Sequence, residues 1–301
     1  MKRAEPSTGW PRPDFSRPHA DVGPLALAGT AGLWSFRREM RRPGLVPMFA
    51  LGVSLARRGV VAVVSLAIAG LTILVLIIVA LALGKRGGTA PIHAVPLIAS
   101  SALAWGAGFL HAFGVAAHAL RKDRTDGVRH LLIARTTNLR GYVLARVGGL
   151  AALLAIVVGG GTLLCGLVAV LMAARVGAVP KTLHATLAAF VFALAFSAVV
   201  APVAFAALGA RSRMGGYLFL LGIVVLPEML ASVLSGIVPE SITEVLAIPS
   251  ALATLRASIA PGTVNPLRFV RALVALAIVV GIATVWVRRD AIRVDQPELD
   301  A

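Results

Sequence analysis

Residues 121–147 read RKDRTDGVRHLLIARTTNLRGYVLARV and form the longest charged interruption in an otherwise apolar chain. The stretch carries seven Lys/Arg and two Asp, and an apolar run of at least twenty residues flanks it on each side. A helix of about twenty apolar residues is long enough to cross a lipid bilayer. The stretch is therefore expected to join two membrane spans and to lie in water.

Composition agrees with a membrane protein. Hydrophobic residues make up 58% of the chain and charged residues only 14%, against roughly 25% charged residues in soluble proteins. The net charge of +16 would suggest nucleic acid in a soluble chain, but basic residues also accumulate on the cytosolic loops of membrane proteins. Nucleic acid is therefore not an expected partner.

The hydropathy pattern predicts an all-α polytopic membrane protein. Residues 1–30 are rich in proline and are expected to form a disordered cytosolic tail. Residues 31–58 are expected to form an interfacial amphipathic segment with membrane lipids as its partner, residues 59–290 a six-span domain, and residues 291–301 a second cytosolic tail. The predicted spans cover residues 60–83, 94–120, 147–173, 183–208, 217–238 and 269–287.

The distribution of basic residues predicts which loops face the cytosol. If both termini lie inside, the inside segments carry 22 Lys/Arg and the outside segments carry seven. Cytosolic loops carry the excess of Lys/Arg. We therefore expect both termini, and the coupling segment at residues 121–146, on the cytosolic side of a bacterial inner membrane.

The central segment has a helical pattern of its own. Asp126 or Thr125 is a candidate N-cap, and Val128, Leu131 and Leu132 follow at helical spacing, which predicts a short helix up to residue 134. So short a helix is marginal alone in water and needs something to pack against. Either the segment is a plain loop whose arginines set the topology, or it is a docking helix held between two spans.

From these residues the chain resembles the permease subunit of ABC-2-type transporters, which are ATP-binding-cassette exporters. The resemblance covers about residues 31–290. It rests on the basic segment before the first span, similar to an elbow helix, and on six spans with both ends inside. It also rests on Asp126-Gly127 followed by Leu131-Leu132 and residues 142–146, and on a proline-broken connection at residues 241–260, similar to short re-entrant helices.

The resemblance implies a permease that works as a dimer, with a second copy or a paralogue, driven by a separate ABC ATPase. The residues that it implies for ATPase coupling are Asp126, Gly127, Arg129, Leu131, Leu132 and Arg135. The sequence has no phosphate-binding motif of the form G-x-x-x-x-G-K-[ST]. No cofactor and no enzymatic activity are therefore expected on this chain, and ATP would bind to the partner.

Glu228 is the only acidic residue well inside a predicted span, and it follows Pro227. A carboxylate within a membrane is costly and suggests a function by default. Glu228 and Pro227 could lie in a transport pathway or at a dimer seam. Alternatively, Glu228 could be a protonated or hydrated carboxylate at a helix break that the proline makes.

Two other classes of function share some of these features. A polytopic scaffold that anchors a cytosolic partner would show the same spans without transport. A membrane prenyltransferase would use aspartate-rich motifs to hold Mg²⁺ and a diphosphate, and Asp123-x-x-Asp126 offers only two carboxylates among basic residues. No metal site is expected. The scarcity of polar residues in the spans favours a hydrophobic or lipid-like cargo, and the sequence does not name it.

Overall fold

The computed structural model describes residues 45–57, 59–86, 91–117, 119–127, 139–174, 177–210, 213–234, 237–262 and 264–293. Within these residues the fold is all-α and contains no strand, as predicted. Six helices are long and apolar enough to cross a membrane: Val60–Lys85, Ala94–Thr125, Leu139–Ala173, Val179–Leu208, Met214–Leu234 and Pro266–Arg293. We number them as the first to the sixth span.

Three spans are not continuous α-helices. A π-helical turn interrupts the second span at Leu103–Gly108, the third at Ala155–Gly159 and the fifth at Leu221–Val225. The second span also leaves helical geometry at Ala117, where ψ is 117°, and resumes as the helix Ala119–Thr125. Such interruptions occur often in helices at functional sites.

The ends of the spans differ from the predicted ends at charged positions. The helix of the second span continues to Thr125, past the predicted end at residue 120, and the helix of the third begins at Leu139, eight residues before the predicted start of that span. The fifth span ends at Leu234 rather than residue 238. Hydropathy ends a span where charge begins, whereas helical hydrogen bonding continues through charged residues that have partners.

The fourth span is the centre of the bundle. Two thirds of its most apolar window is buried, against 6% for the fifth span. Ala185, Ala189 and Ala193 recur at four-residue spacing and are fully buried. Small residues at this spacing let neighbouring helices approach closely, which stabilises helix packing in a membrane where hydrophobic burial contributes little.

Aromatic rings fill the space between the second and fourth spans. The Trp105 and Phe196 rings make an edge contact with centroids 5.3 Å apart, and the Phe109 and Phe113 rings lie 4.3 Å apart. Trp105 sits within the π-helical turn of the second span. The turn thus lies where the second span packs on the central helix.

A helix that precedes the spans, Leu45–Ala56, belongs to the same compact unit as they do, which covers residues 43–301. It packs against the third span through a contact between two glycines. A Cβ added at Gly52 would lie 2.1 Å from the Ala145 carbonyl oxygen, and one added at Gly149 would lie 2.5 Å from the Gly52 backbone. Residues 31–44 lie outside the described residues, and the interfacial position of this segment stays a prediction.

Two short helices, Glu240–Leu246 and Ile248–Ala257, connect the fifth and sixth spans in the proline-broken region at residues 241–260. The second of them buries Ile248, Ala251, Leu252 and Leu255. Whether this pair of helices re-enters a membrane stays a prediction. The pair is called the helical hairpin below.

Candidate functional site

The predicted coupling residues divide into two groups. Asp126 and Gly127 follow the helix Ala119–Thr125 directly, whereas Arg129, Leu131, Leu132 and Arg135 lie in residues 128–138, outside the described residues. The role of all six in coupling stays a prediction. The structure describes the two helical stems that lead into and out of residues 128–138.

Thr125 or Asp126 was predicted to begin a helix as its N-cap; that helix lies outside the described residues, so this role stays a prediction. Both residues lie at the carboxyl end of a helix: the Asp126 N–H donates to the Lys122 carbonyl at 2.9 Å, and Gly127 has φ of +69°. A glycine in this left-handed conformation commonly ends a helix. The Asp-Gly pair therefore ends the second span, because glycine adopts this backbone geometry without the strain of a Cβ.

A buried ion pair joins the two stems. Asp123 of the second span and Arg146 of the third span have side chains that are only 6% and 7% exposed. Arg146 Nη2 donates to Asp123 Oδ1 at 3.0 Å, and Arg146 Nε lies 2.6 Å from Oδ2 without the alignment of a hydrogen bond. The Tyr142 hydroxyl donates to Asp123 Oδ2 at 2.9 Å. We call Asp123, Tyr142 and Arg146 the stem cluster.

The fourth span closes over the stem cluster. The Arg146 guanidinium carbon lies 5.8 Å from the centroid of the Phe205 ring, a distance at which a cation is attracted to the face of an aromatic ring. Close by, the Leu120 N–H donates to the Gly209 carbonyl at 3.1 Å, and this bond ties the second span to the end of the fourth. The central helix therefore braces both stems.

This arrangement fixes the geometry on either side of residues 128–138. Burying a lone carboxylate or guanidinium is costly, so the two groups hold each other in place once both are buried. The helix Leu45–Ala56 packs on the third span beside Arg146 through Gly52 and Gly149. A displacement applied to residues 128–138 would therefore reach three membrane spans through packed contacts.

The sequence did not reveal the stem cluster. The basic residues of the 121–146 segment indicated only its topology. The signal that could have found the pair is a lone acid at the end of one span and an arginine at the start of the next. Consecutive antiparallel spans bring those two positions to the same end.

Both oxygens of Asp123 accept hydrogen bonds, one from Tyr142 and one from Arg146. The described residues contain no group of three or more His, Cys, Asp and Glu that could hold a metal ion. The Asp123-x-x-Asp126 pattern therefore receives no support as a Mg²⁺–diphosphate site.

The Glu228 carboxylate has a hydrogen-bond partner within the chain. Its Oε2 accepts a hydrogen bond from the Ser250 N–H at 3.3 Å. Ser250 is the third residue of the helix Ile248–Ala257, where backbone N–H groups lack helical acceptors and a negative charge is favoured. Glu228 thus attaches the fifth span to the helical hairpin, while a pathway or dimer-seam role for Glu228 and Pro227 stays a prediction.

Arg256 attaches the other end of the hairpin. Its Nη1 donates to the Leu97 carbonyl at 3.0 Å and to the Ser101 hydroxyl, and its guanidinium lies 5.1 Å from the Phe192 ring centroid. Burial lowers the pKa of Arg256, but an arginine stays charged at neutral pH. The sequence predicted a proline-broken connection over residues 241–260 but not these contacts of Arg256.

These contacts define the two ends of the bundle. We call the end with the stem cluster and Gly209 the Asp123 end, and the end with Leu97 and Arg256 the Arg256 end.

Comparison of the chain with known protein families, with curated proteins and with solved structures finds no match.

Proposed function

We propose that this chain is the membrane-spanning permease subunit of an ABC-2-like exporter and that it couples transport to ATP hydrolysis on a separate ATPase. The observation that carries the proposal is the stem cluster. A docking segment can transmit force only if both of its stems are rigid, and Asp123, Tyr142 and Arg146 lock the second span to the third immediately beside residues 128–138.

In this mechanism the ATPase binds residues 128–138 and moves when it binds and hydrolyses ATP. Leu131 and Leu132 supply the apolar contact, and Arg129 and Arg135 flank it. Because the stems are helical and clamped, the second and third spans move together. The fourth span follows through Phe205 and Gly209, which contact the same stems.

The orientation proposed from the excess of basic residues places the Asp123 end in the cytosol of a bacterial cell. The same orientation places the helical hairpin on the outside. Movement of the second span would then reach the hairpin, because Arg256 is bonded to Leu97 and Ser101 at the opposite end of that span.

A second copy of the chain or a paralogue would complete the transporter. The most apolar windows of the first, fifth and sixth spans are 17%, 6% and 22% buried. Lipid or another subunit must cover these faces. Glu228 and Pro227 lie on the fifth span, the least packed of the six, which supports a dimer seam or pathway there.

The deciding experiment pairs this chain with ABC ATPases encoded beside its gene. Each candidate is co-expressed, purified through a tag on this chain, and assayed for ATP hydrolysis in lipid nanodiscs. We expect one ATPase to co-purify and its hydrolysis to depend on this chain. Leu131→Glu with Leu132→Glu should release it, because two charges would replace the apolar contact.

The matched control is Thr136→Glu with Thr137→Glu, which adds the same charge to the same segment outside the predicted apolar stripe. It should retain the ATPase. A chain that never retains an ATPase, yet captures another cytosolic protein through residues 128–138, would contradict the transporter and favour a scaffold.

A further inference from the structure

A groove of about 500 Å³ lies among the third, fourth and sixth spans at the Asp123 end. Its walls are apolar and include Val143, Val147 and Val280, and Ala198 and Pro202 form part of the wall on the fourth span. The Thr284 hydroxyl, the one side-chain hydroxyl in the lining, donates to the Val280 carbonyl of its own helix at 2.7 Å. The body of the groove therefore offers a ligand no free polar side chain.

Two arginines stand at one end of this groove. Arg140 is the second residue of the third span, and Arg288 lies five residues before the end of the sixth. Both are exposed, and within the described part of the chain neither has a carboxylate at ion-pair distance. The groove is thus apolar along its length and positively charged at its mouth.

The dimensions of the groove match one leaflet of a bilayer. On the third span its lining runs from Arg140 to Gly148, and on the sixth from Arg288 to Val280. Eight residues of helix rise about 12 Å, and half of a hydrocarbon core about 30 Å thick is about 15 Å. An acyl chain in the groove would extend from the headgroup level to near the middle of the membrane.

We propose that this groove binds an anionic phospholipid, with the phosphate between Arg140 and Arg288 and one acyl chain along Val147, Ala198 and Val280. The charge at the mouth selects the headgroup, since arginine pairs with phosphate through charge-assisted hydrogen bonds. The apolar walls select a lipid over a free phosphate. The site requires neither ATP nor a transport cycle, so it stands apart from the proposed function.

A second groove on the same protein, without charged residues in its lining, serves as an internal control. It has a volume of about 490 Å³, lies between the third and fourth spans and is lined by Gly160, Leu163, Leu167, Leu183 and Thr186 among others. It offers an acyl chain a similar volume without a charged mouth. Lipid that coats the protein nonspecifically should show the same headgroup preference at both grooves. A specific headgroup site should show a preference for anionic lipid at the charged groove alone.

The test uses the full chain in nanodiscs that contain trace phospholipid with a photoreactive acyl chain. One probe carries a phosphatidylglycerol headgroup and the other phosphatidylcholine, and the labelled peptides are identified by mass spectrometry. At the charged groove the first probe should label about 25-fold more than the second, because each of the two arginines near an anionic headgroup contributes about fivefold. At the uncharged groove the ratio should be near one.

Substitutions then test whether the two arginines at the mouth of the groove cause the preference for the anionic probe. Arg140→Gln with Arg288→Gln should reduce the labelling ratio to that of the uncharged groove. Arg289→Gln, which removes a neighbouring arginine that lines a different surface, should leave the ratio unchanged. Ala198→Phe should block labelling by filling the groove, and the surface arginine variants keep the test valid if that chain fails to fold.

Three results would overturn the proposal. The first is equal labelling by the two probes at the charged groove of the unaltered chain. The second concerns the ratio of labelling by the two probes. It contradicts the proposal if it persists without both arginines, or if millimolar inorganic phosphate abolishes it. The third is strong labelling of the uncharged groove with none of the charged one, which would show that another surface, such as a second copy of the chain, covers it.

Discussion

Asp123 of the second span and Arg146 of the third form an ion pair with one hydrogen bond, and both side chains are more than nine-tenths buried. Removing one partner of such a pair leaves an uncompensated charge in a medium of low dielectric. The pair therefore stabilises the bundle only as long as it is complete. Its position beside residues 128–138 makes it the element on which the proposed coupling depends.

The first prediction concerns this pair. Asp123→Ala should lower the free energy of unfolding by about 3 kcal/mol or more, because the Arg146 guanidinium would stay buried without its partner. Tyr142→Phe should cost less, about 1–3 kcal/mol, since it removes one hydrogen bond to a charged group. Thermal unfolding in detergent measures both.

Asp126→Ala is the matched control, because Asp126 is exposed three residues away. It should change the unfolding free energy by no more than about 0.5 kcal/mol. Equal effects at Asp123 and Asp126 would show that burial of the pair does not stabilise the protein.

The second prediction concerns the contact of the helix Leu45–Ala56 with the third span. Gly149→Ala should destabilise the protein by about 1–3 kcal/mol, because its Cβ would overlap the Gly52 backbone and force the helices apart. The same measurement applies. Gly160→Ala is the control on the same span: nothing lies within 4 Å of its added Cβ, so the higher helix propensity of alanine should make it neutral or slightly stabilising.

The third prediction concerns the attachment of the helical hairpin. Arg256→Gln should weaken the bonds to the Leu97 carbonyl and the Ser101 hydroxyl, which as charge-assisted bonds contribute about 1.5–3 kcal/mol each. The rate of amide hydrogen exchange across residues 248–257 should therefore increase tenfold or more, since a loss of about 1.4 kcal/mol corresponds to a factor of ten. Arg271→Gln, an exposed arginine of the sixth span, should leave this exchange unchanged.

The fourth prediction separates two roles of Glu228. Glu228→Gln retains an oxygen acceptor for the Ser250 N–H but removes the charge at the helix start, so membrane insertion should persist and stability should fall by about 0.3–1 kcal/mol. If Glu228 also lies in the transport pathway or at a dimer seam, export by the reconstituted transporter should fall as well. Glu240→Gln, on an exposed residue of the hairpin, is the control. Normal export by Glu228→Gln would limit the residue to its structural role.

The fifth prediction concerns orientation. Thr125→Cys at the Asp123 end should react with a membrane-impermeant maleimide only after cells are opened, whereas Val264→Cys, 65% exposed at the Arg256 end, should react in intact cells. The natural Cys165 is buried and gives little background. The opposite labelling pattern would reverse the proposed orientation.

Much of the fold could be predicted because membrane spans are local features. Residues 60–84 and 182–208 are long runs without Asp, Glu, Lys or Arg, and a chain in hydrocarbon must satisfy its backbone hydrogen bonds within each run. The ends of spans were less predictable. At Thr125 and Leu139 the helix continues into charged sequence because Asp123 and Arg146 neutralise each other, and hydropathy counts each residue alone.

The candidate site was predicted only in part. The 121–146 segment was recognised as the link between two spans, but the end of the helix Ala119–Thr125 at Asp126 and Gly127 was not predicted. The chemistry of the stems depends on a contact 23 residues apart in sequence. Periodicity within a single segment carries no signal of such a contact.

The sequence by itself determined six apolar helices, because a bilayer accepts a run of about twenty apolar residues only as a helix. The tertiary structure alone decided which polar groups meet: Asp123 with Arg146, Glu228 with the Ser250 amide, and Arg256 with the Leu97 carbonyl. These pairings depend on how far each helix is rotated and shifted against its neighbours. Rotation and shift follow from packing across the whole bundle, through contacts such as that of Gly52 with Gly149, and not from the hydropathy of any one span.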